Sequence, residues 1–158
     1  MRPHYFYSIL FLMALILHTS TNADTMNVSQ PPIAENKTSN ETFSLLNDRG
    51  VAYALGHETP QNNVEAVKRF RKAAEQGLPV AQRNLGIMYA FGKGVPQSDI
   101  KAAQYFHKAA QQGDVIAQLN LGVMCATGKG VAKNEIEAVT WFRKAARQGL
   151  PVAQRNLG

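Results

Sequence analysis

The sequence predicts an all-α fold, a short α/α solenoid of stacked helical hairpins, and three observations carry that expectation. The stretch Arg71–Gly86, RKAAEQGLPVAQRNLG, returns at Arg143–Gly158 with only Glu75 exchanged for Arg147, and Lys108–Gly122 is a looser copy. Gly77, Gly113 and Gly149 stand at a constant spacing of thirty-six residues, undisturbed by any insertion. Within each copy the apolar residues recur at i, i+4, i+7 and i+8, the spacing of one helix face. A period between about 20 and 50 residues marks an array whose units bury their apolar faces on one another.

The chain of 158 residues opens on Arg2 and an almost wholly apolar run, Tyr5–Leu17, followed by the small-residue stretch Thr21-Asn22-Ala23. That order matches a secretory signal peptide over 1–23, and the run falls short of the roughly 20 residues of a membrane span. A secreted or periplasmic protein is therefore expected, with an uncleaved anchor as the alternative. No cysteine stands directly after the cleavage region, where Asp24 is found, which argues against a lipid-anchored form. Without residues 1–23 the chain keeps 16 basic side chains against 11 acidic ones, a modest and dispersed net charge of +5.

Residues 24–42 are rich in Asn, Thr, Ser and Pro. Too little apolar surface is present there to offset the entropy of ordering, and a flexible linker is expected. Its three N-x-S/T sequons, at Asn27, Asn36 and Asn40, follow from that composition and matter only in a eukaryotic secretory pathway.

The array begins near Phe43. The copies divide the chain into a worn first repeat at 43–78, full repeats at 79–114 and 115–150, and the start of another at 151–158. The first helix of each full copy is expected over Pro79–Phe91 and Val115–Thr127, with Ala81, Leu85, Met88 and Tyr89 on one face. Pro79 and Pro151 suit the first helical position, where a missing N–H costs nothing. Asp114 caps the middle copy.

Gly92 and Gly94, and again Gly128 and Gly130, stop that helix and permit a left-handed turn. The second helix follows over about Asp99–Gln112 and Glu135–Gln148, with Asp99 and Asn134 as expected caps and Gly113 and Gly149 beyond its end. Gly86 and Gly122 lie inside the first helix, where glycine costs about 1 kcal/mol relative to alanine. Their return implies a bare backbone for close helix approach. Phe70, Phe106 and Phe142 supply the bulk between layers.

The order A-Q-x-N-L-G-x-M-Y/C-A-x-G-x-G-V, then A-x-x-Y/W-F-x-K-A-A-x-Q-G, stands at Ala81–Val95 with Ala102–Gly113 and at Ala117–Val131 with Ala138–Gly149. It resembles the Sel-1-like repeat, a relative of the tetratricopeptide repeat. The resemblance implies an α/α solenoid adaptor that holds other proteins, some bacterial members being exported. A cysteine-rich branch of that family clips each helix pair with a disulfide, and some of its members are described as binding penicillins. Cys125 is the only cysteine here, so neither the disulfides nor that activity carries over. In the first copy Arg49 replaces the leucine of Leu85 and Glu58 the glycine of Gly94, as in a solvent-facing end cap.

No catalytic constellation, metal site or cofactor site emerges. His57 and His107 lie in different copies without a Cys, Asp or Glu at ligand spacing. Gly92-x-Gly94 lacks the strand and the Gly-Lys-Ser/Thr ending of a phosphate loop. Cys125 takes the slot of Tyr53 and Tyr89, where a small buried thiol is the expectation.

A protein partner is expected instead, and three recurring sets are candidates to meet it. Lys72, Lys108 and Lys144 share one repeat position and form either a positive ladder or an ordinary solvated face. Asn84, Asn120 and Asn156 recur inside helices that asparagine disfavours, with Gln82 and Gln118 beside them. These amides serve either structural hydrogen bonds or a partner-facing groove. Nucleic acid is not expected, because the aromatics take core positions. The apolar end at Leu150, Val152 and Leu157 points to self-association. A shortened, degenerate relic of a longer array and an envelope-directed hydrolase are the rival readings.

Overall fold

The computed structural model describes residues 42–57 and 60–157. The expectations placed on the leader, on the sequons and on Glu58 fall outside these residues. Among the described residues seven helices follow in order: α1 (Phe43–Leu55), α2 (Asn63–Glu75), α3 (Pro79–Phe91), α4 (Asp99–Gln111), α5 (Val115–Thr127), α6 (Glu135–Arg147) and α7 (Pro151–Leu157). Among the described residues no strand is present. The helices α1, α3 and α5 start thirty-six residues apart, as do α2, α4 and α6. Each helix packs on its neighbours in sequence, most extensively within a hairpin.

Local chemistry sets the boundaries. The side chains of Thr42, Asn62, Asp114 and Asn134 accept from backbone N–H groups three residues on, satisfying donors that a helix start leaves open. At α4 the expected cap was Asp99, yet Ser98 caps instead, accepting from Lys101 N at 3.3 Å. Asp99 is the first helical residue, where its charge favours the positive end of the helix dipole. The expected ends at Gln112 and Gln148 also move by one residue. Both are C-caps, because the left-handed Gly113 and Gly149 that follow turn the chain out of the helix.

The layers meet at glycine. A Cβ on Gly86 would lie 2.9 Å from the ring of Phe106, and one on Gly122 would lie 2.6 Å from Phe142. Gly50 stands in the same relation to Phe70, so the worn first copy keeps this contact. Phe70, Phe106 and Phe142 are buried among the paired alanines of α2, α4 and α6. The core is thus one continuous seam, with Leu85, Leu119, Leu121 and Cys125 as its most enclosed large side chains.

Candidate interaction face

The recurring amides were candidates for a partner-facing groove. The structure spends them inside the stack. Gln82 Nε2 donates to Ala74 O at the end of α2 (3.2 Å), and Gln82 Oε1 accepts from Gln112 Nε2 at the end of α4 (2.8 Å). One repeat on, Gln118 donates to Ala110 O (3.2 Å) and accepts from Gln148 Nε2 (2.9 Å). Each glutamine therefore adds a second donor to a carbonyl at a helix C-terminus, Ala74 O also accepting from Gly77 N and Ala110 O from Gly113 N, and ties two hairpins together. Both are buried, so neither is presented to a partner. Asn84 and Asn120 are buried as well, and Asn84 Nδ2 donates to Asn47 Oδ1 at 3.0 Å. Asn156 is half-buried on α7.

The lysine set lies outside. Lys72, Lys108 and Lys144 are all exposed near the C-terminal ends of α2, α4 and α6. Lys108 Nζ lies 5.5 Å from the Tyr105 ring centroid, and Lys144 Nζ lies 4.2 Å from that of Trp141. Such cation–ring contacts hold the ammonium groups in place while leaving them hydrated. His107 meets the edge of Trp141 at 6.0 Å, and Tyr89 and Tyr105 stack at 5.7 Å. Burial, and next the neighbouring Tyr89, pushes the Tyr105 phenol up, so it stays neutral beneath Lys108. The aromatics are thus not all given over to the core: Tyr105 is half-exposed.

A second row on the same helices went unpredicted. Val64, Ile100 and Ile136 share one repeat position at the start of α2, α4 and α6 and are 55%, 63% and 83% exposed. Single exposed apolar residues are ordinary, but the same exposure at every repeat is a patterned surface. The loop glycines bring the next hairpin against this row. Gly94 packs on the backbone of Asn63 and Val64, and Gly130 on that of Asp99 and Ile100, both with φ of +69° and no room for a side chain. The signal was present in the sequence as branched apolar residues at positions otherwise given to polar ones.

Each of these helices pairs its apolar residue with a basic or imidazole residue seven places on: Val64 with Arg71, Ile100 with His107, Ile136 with Arg143. Seven residues return to nearly the same helix face, about 10 Å further along the axis. The outer face therefore carries an apolar row and, across that gap, a cationic row made by Arg71, Arg143 and the lysines Lys72, Lys108 and Lys144, with His107 at the middle repeat. The first-turn acids Glu65, Asp99, Glu135 and Glu137 keep to the apolar end, as the helix dipole favours.

No group of three or more His, Cys, Asp or Glu side chains among the described residues is placed to hold a metal ion. No described helix is long and apolar enough to cross a membrane.

The model of the Sel1 repeat matches residues 46–78, 79–114 and 115–150. Three solved structures are similar. A Sel1 repeat protein from Oxalobacter formigenes is 34% identical, with a TM-score of 0.72 over 73% of this chain and 48% of its own. A protective antigen with an SLR fold, present in uropathogenic Escherichia coli strains, is 36% identical, with a TM-score of 0.69 over 70% of this chain and 24% of its own. The cysteine rich protein B of Helicobacter pylori is 37% identical, with a TM-score of 0.62 over 71% of this chain and 84% of its own. The chain thus spans about half the length of the first and a quarter of the second. No curated protein matches it.

Proposed function

Because the chain belongs to the Sel1 repeat family, whose members generally serve as protein-interaction scaffolds, we propose that it is an exported adaptor. It works by presenting a rigid helical face, without chemistry of its own. The observation that carries this reading is the row Val64, Ile100 and Ile136, exposed at every repeat beside the cationic row of Lys72, Lys108 and Lys144. Exposed branched apolar groups at repeat spacing supply binding area, and the cations add orientation and faster encounter with an acidic partner. The partner is a protein with apolar anchors at the same repeat and acidic side chains about 10 Å to one side. Export rests on the apolar leader at 1–23, and the similar E. coli protein being a protective antigen is in keeping with it.

Photo-crosslinking tests the face. A benzophenone amino acid placed at Ile100 or Ile136 in the full chain, in the cell that makes it, traps a discrete protein. The Val64→Glu change and the Lys108→Glu/Lys144→Glu pair each weaken that product. Crosslinking that is diffuse, or indifferent to both changes, overturns the reading. Sequencing the mature N-terminus tests export, with Asp24 as the expected first residue.

A further inference from the structure

The first hairpin boundary holds a cavity that is apolar within and cationic at its mouth. It measures about 270 Å³ and lies between α1 and α3, with Val51, Ala54, Leu55, Ile87 and Met88 among its lining residues. Asn63 and Asn84 also line it, but their carbonyl oxygens are enclosed and form part of the wall only. Lys93 lines the cavity and is itself exposed, so it stands where the cavity meets solvent.

The loop that carries Lys93 is pinned from two sides. Lys93 N donates to Met88 O at 2.9 Å, and Gly94 packs on the backbone of Asn63 and Val64. The cation is therefore held between the end of α3 and the start of α2. No carboxylate lines the cavity, and among the described residues no ion pair includes Lys93. Glu65, the first-turn acid of α2, is occupied by Lys68 and Arg69. An ammonium group and the positive end of a helix thus meet at one mouth with no anion between them.

The next boundary shares the aliphatic wall and differs at the mouth. Thirty-six residues on, Val51 and Ile87 recur as Ile87 and Val123, and Lys93 returns as Lys129. Leu55, however, gives way to Phe91, and Asn63 to Asp99. There the helix beside the loop lysine starts on a carboxylate, and a ring stands in place of the leucine. The first boundary keeps the cation, a neutral helix start and the smaller side chain.

We propose that the α1–α3 boundary binds a medium-chain aliphatic carboxylate, with its tail in the cavity and its head at Lys93. An apolar cavity of about 150 Å³ holds benzene, so this one has room for about ten non-hydrogen atoms, the size of octanoate. The tail leaves water for the apolar wall, and the carboxylate stays at the mouth, hydrated on one side and facing the ammonium on the other. A cationic head meets repulsion from Lys93 and finds no acid to offset it. This site uses neither the apolar row nor the lysine row of the outer face.

The test titrates the full chain, 15N-labelled, with octanoate and with octanamide, which has the same body and a neutral head. Octanoate shifts the Asn84 side-chain amide and the backbone amides of Leu55 and Ile87, with a dissociation constant on the order of a millimolar. Octanamide binds about fivefold more weakly, and added salt weakens octanoate but not octanamide. Lys93→Met, at an exposed position, keeps the melting temperature and brings octanoate to the level of octanamide. Lys129→Met leaves octanoate binding unchanged. Leu55→Phe, which installs the residue of the next boundary, weakens both ligands at least about tenfold.

Equal affinity for the two ligands overturns the proposal, as does octanoate binding that Lys93→Met leaves intact. Absence of any shift with octanoate overturns it too. Shifts centred on Val64, Ile100 and Ile136 overturn it in favour of detergent-like adsorption to the exposed row. An acetylated dipeptide ending in leucine that shifts Asn84 where octanoate does not overturns it in favour of a protein C-terminus.

Discussion

Arg83 on α3 and Asp114 at the start of α5 form an ion pair across the boundary between the second and third hairpins, Nη1 to Oδ2 at 3.1 Å, with side chains only 13% and 6% exposed. Asp114 also caps α5 through Ala117 N at 2.8 Å. The residues at the position of Asp114 in the adjoining repeats are Leu78 and Leu150, so the pair is an ionic exception in an apolar slot. Burial pushes the Arg83 guanidinium down from its ordinary value, and Asp114 offsets part of that shift.

Asp114→Leu therefore strands a buried cation and removes a cap, and it is expected to cost about 3 kcal/mol. Arg83→Leu/Asp114→Leu, which leaves no stranded charge and extends the leucine pattern, is expected to recover most of the loss. Urea denaturation of the two variants measures the difference.

Gly122→Ala replaces a poor helix former by the best one and is nonetheless expected to destabilise by about 2 kcal/mol, because the new methyl overlaps the Phe142 ring. Phe142→Leu in the same chain relieves the overlap, so the double variant is expected to lose less than the sum of the two single changes. Thermal unfolding of the four proteins gives the coupling.

Gln118→Leu removes the side-chain donor to Ala110 O, which keeps Gly113 N at 3.1 Å, and leaves Gln148 Nε2 without one of its acceptors. The expected cost is about 1 kcal/mol, that of the lost side-chain hydrogen bonds between hairpins. Amide exchange near the C-terminal end of α4 should quicken in this variant more than exchange at the centre of α5.

Burial, and secondarily the Glu137 carboxylate, pushes the Cys125 thiol up to about 11. The unfolded chain releases this proton near the ordinary thiol value of about 8.5, while the folded chain still holds it. Stability from this source is complete below that pH and falls as pH rises toward the folded value. Between pH 7 and 10 the native protein should lose about 1–2 kcal/mol more than Cys125→Ala does. Denaturant midpoints at the two pH values test this. A thiol reagent at pH 8 should label Cys125 at least about a hundredfold more slowly in the folded than in the unfolded chain.

The repeat made most of the fold legible from the chain alone. Helical spacing and the thirty-six-residue glycine register placed α3 and α5 at their observed bounds and α4 and α6 within one residue. These are short-range properties: a glycine that needs a left-handed turn, or a proline that suits a helix start, acts through its own backbone. The close approach at Gly86 and Gly122 was legible for the same reason, since a repeated local cost implies a repeated contact.

What lay beyond reach was the direction in which each side chain points once the hairpins stack. Gln82 and Gln118 recur as a partner-binding set would, and only the positions of Ala74 O and Ala110 O reveal that they close helix ends. Val64, Ile100 and Ile136 read as more apolar residues among many until packing buries most of the others and leaves them outside. The hydrogen bond from Asn84 to Asn47 joins residues thirty-seven apart in the chain. A periodic code specifies which elements form and how often. Exposure and hydrogen-bond partnership belong to pairs of elements, and they come into being only when those elements meet.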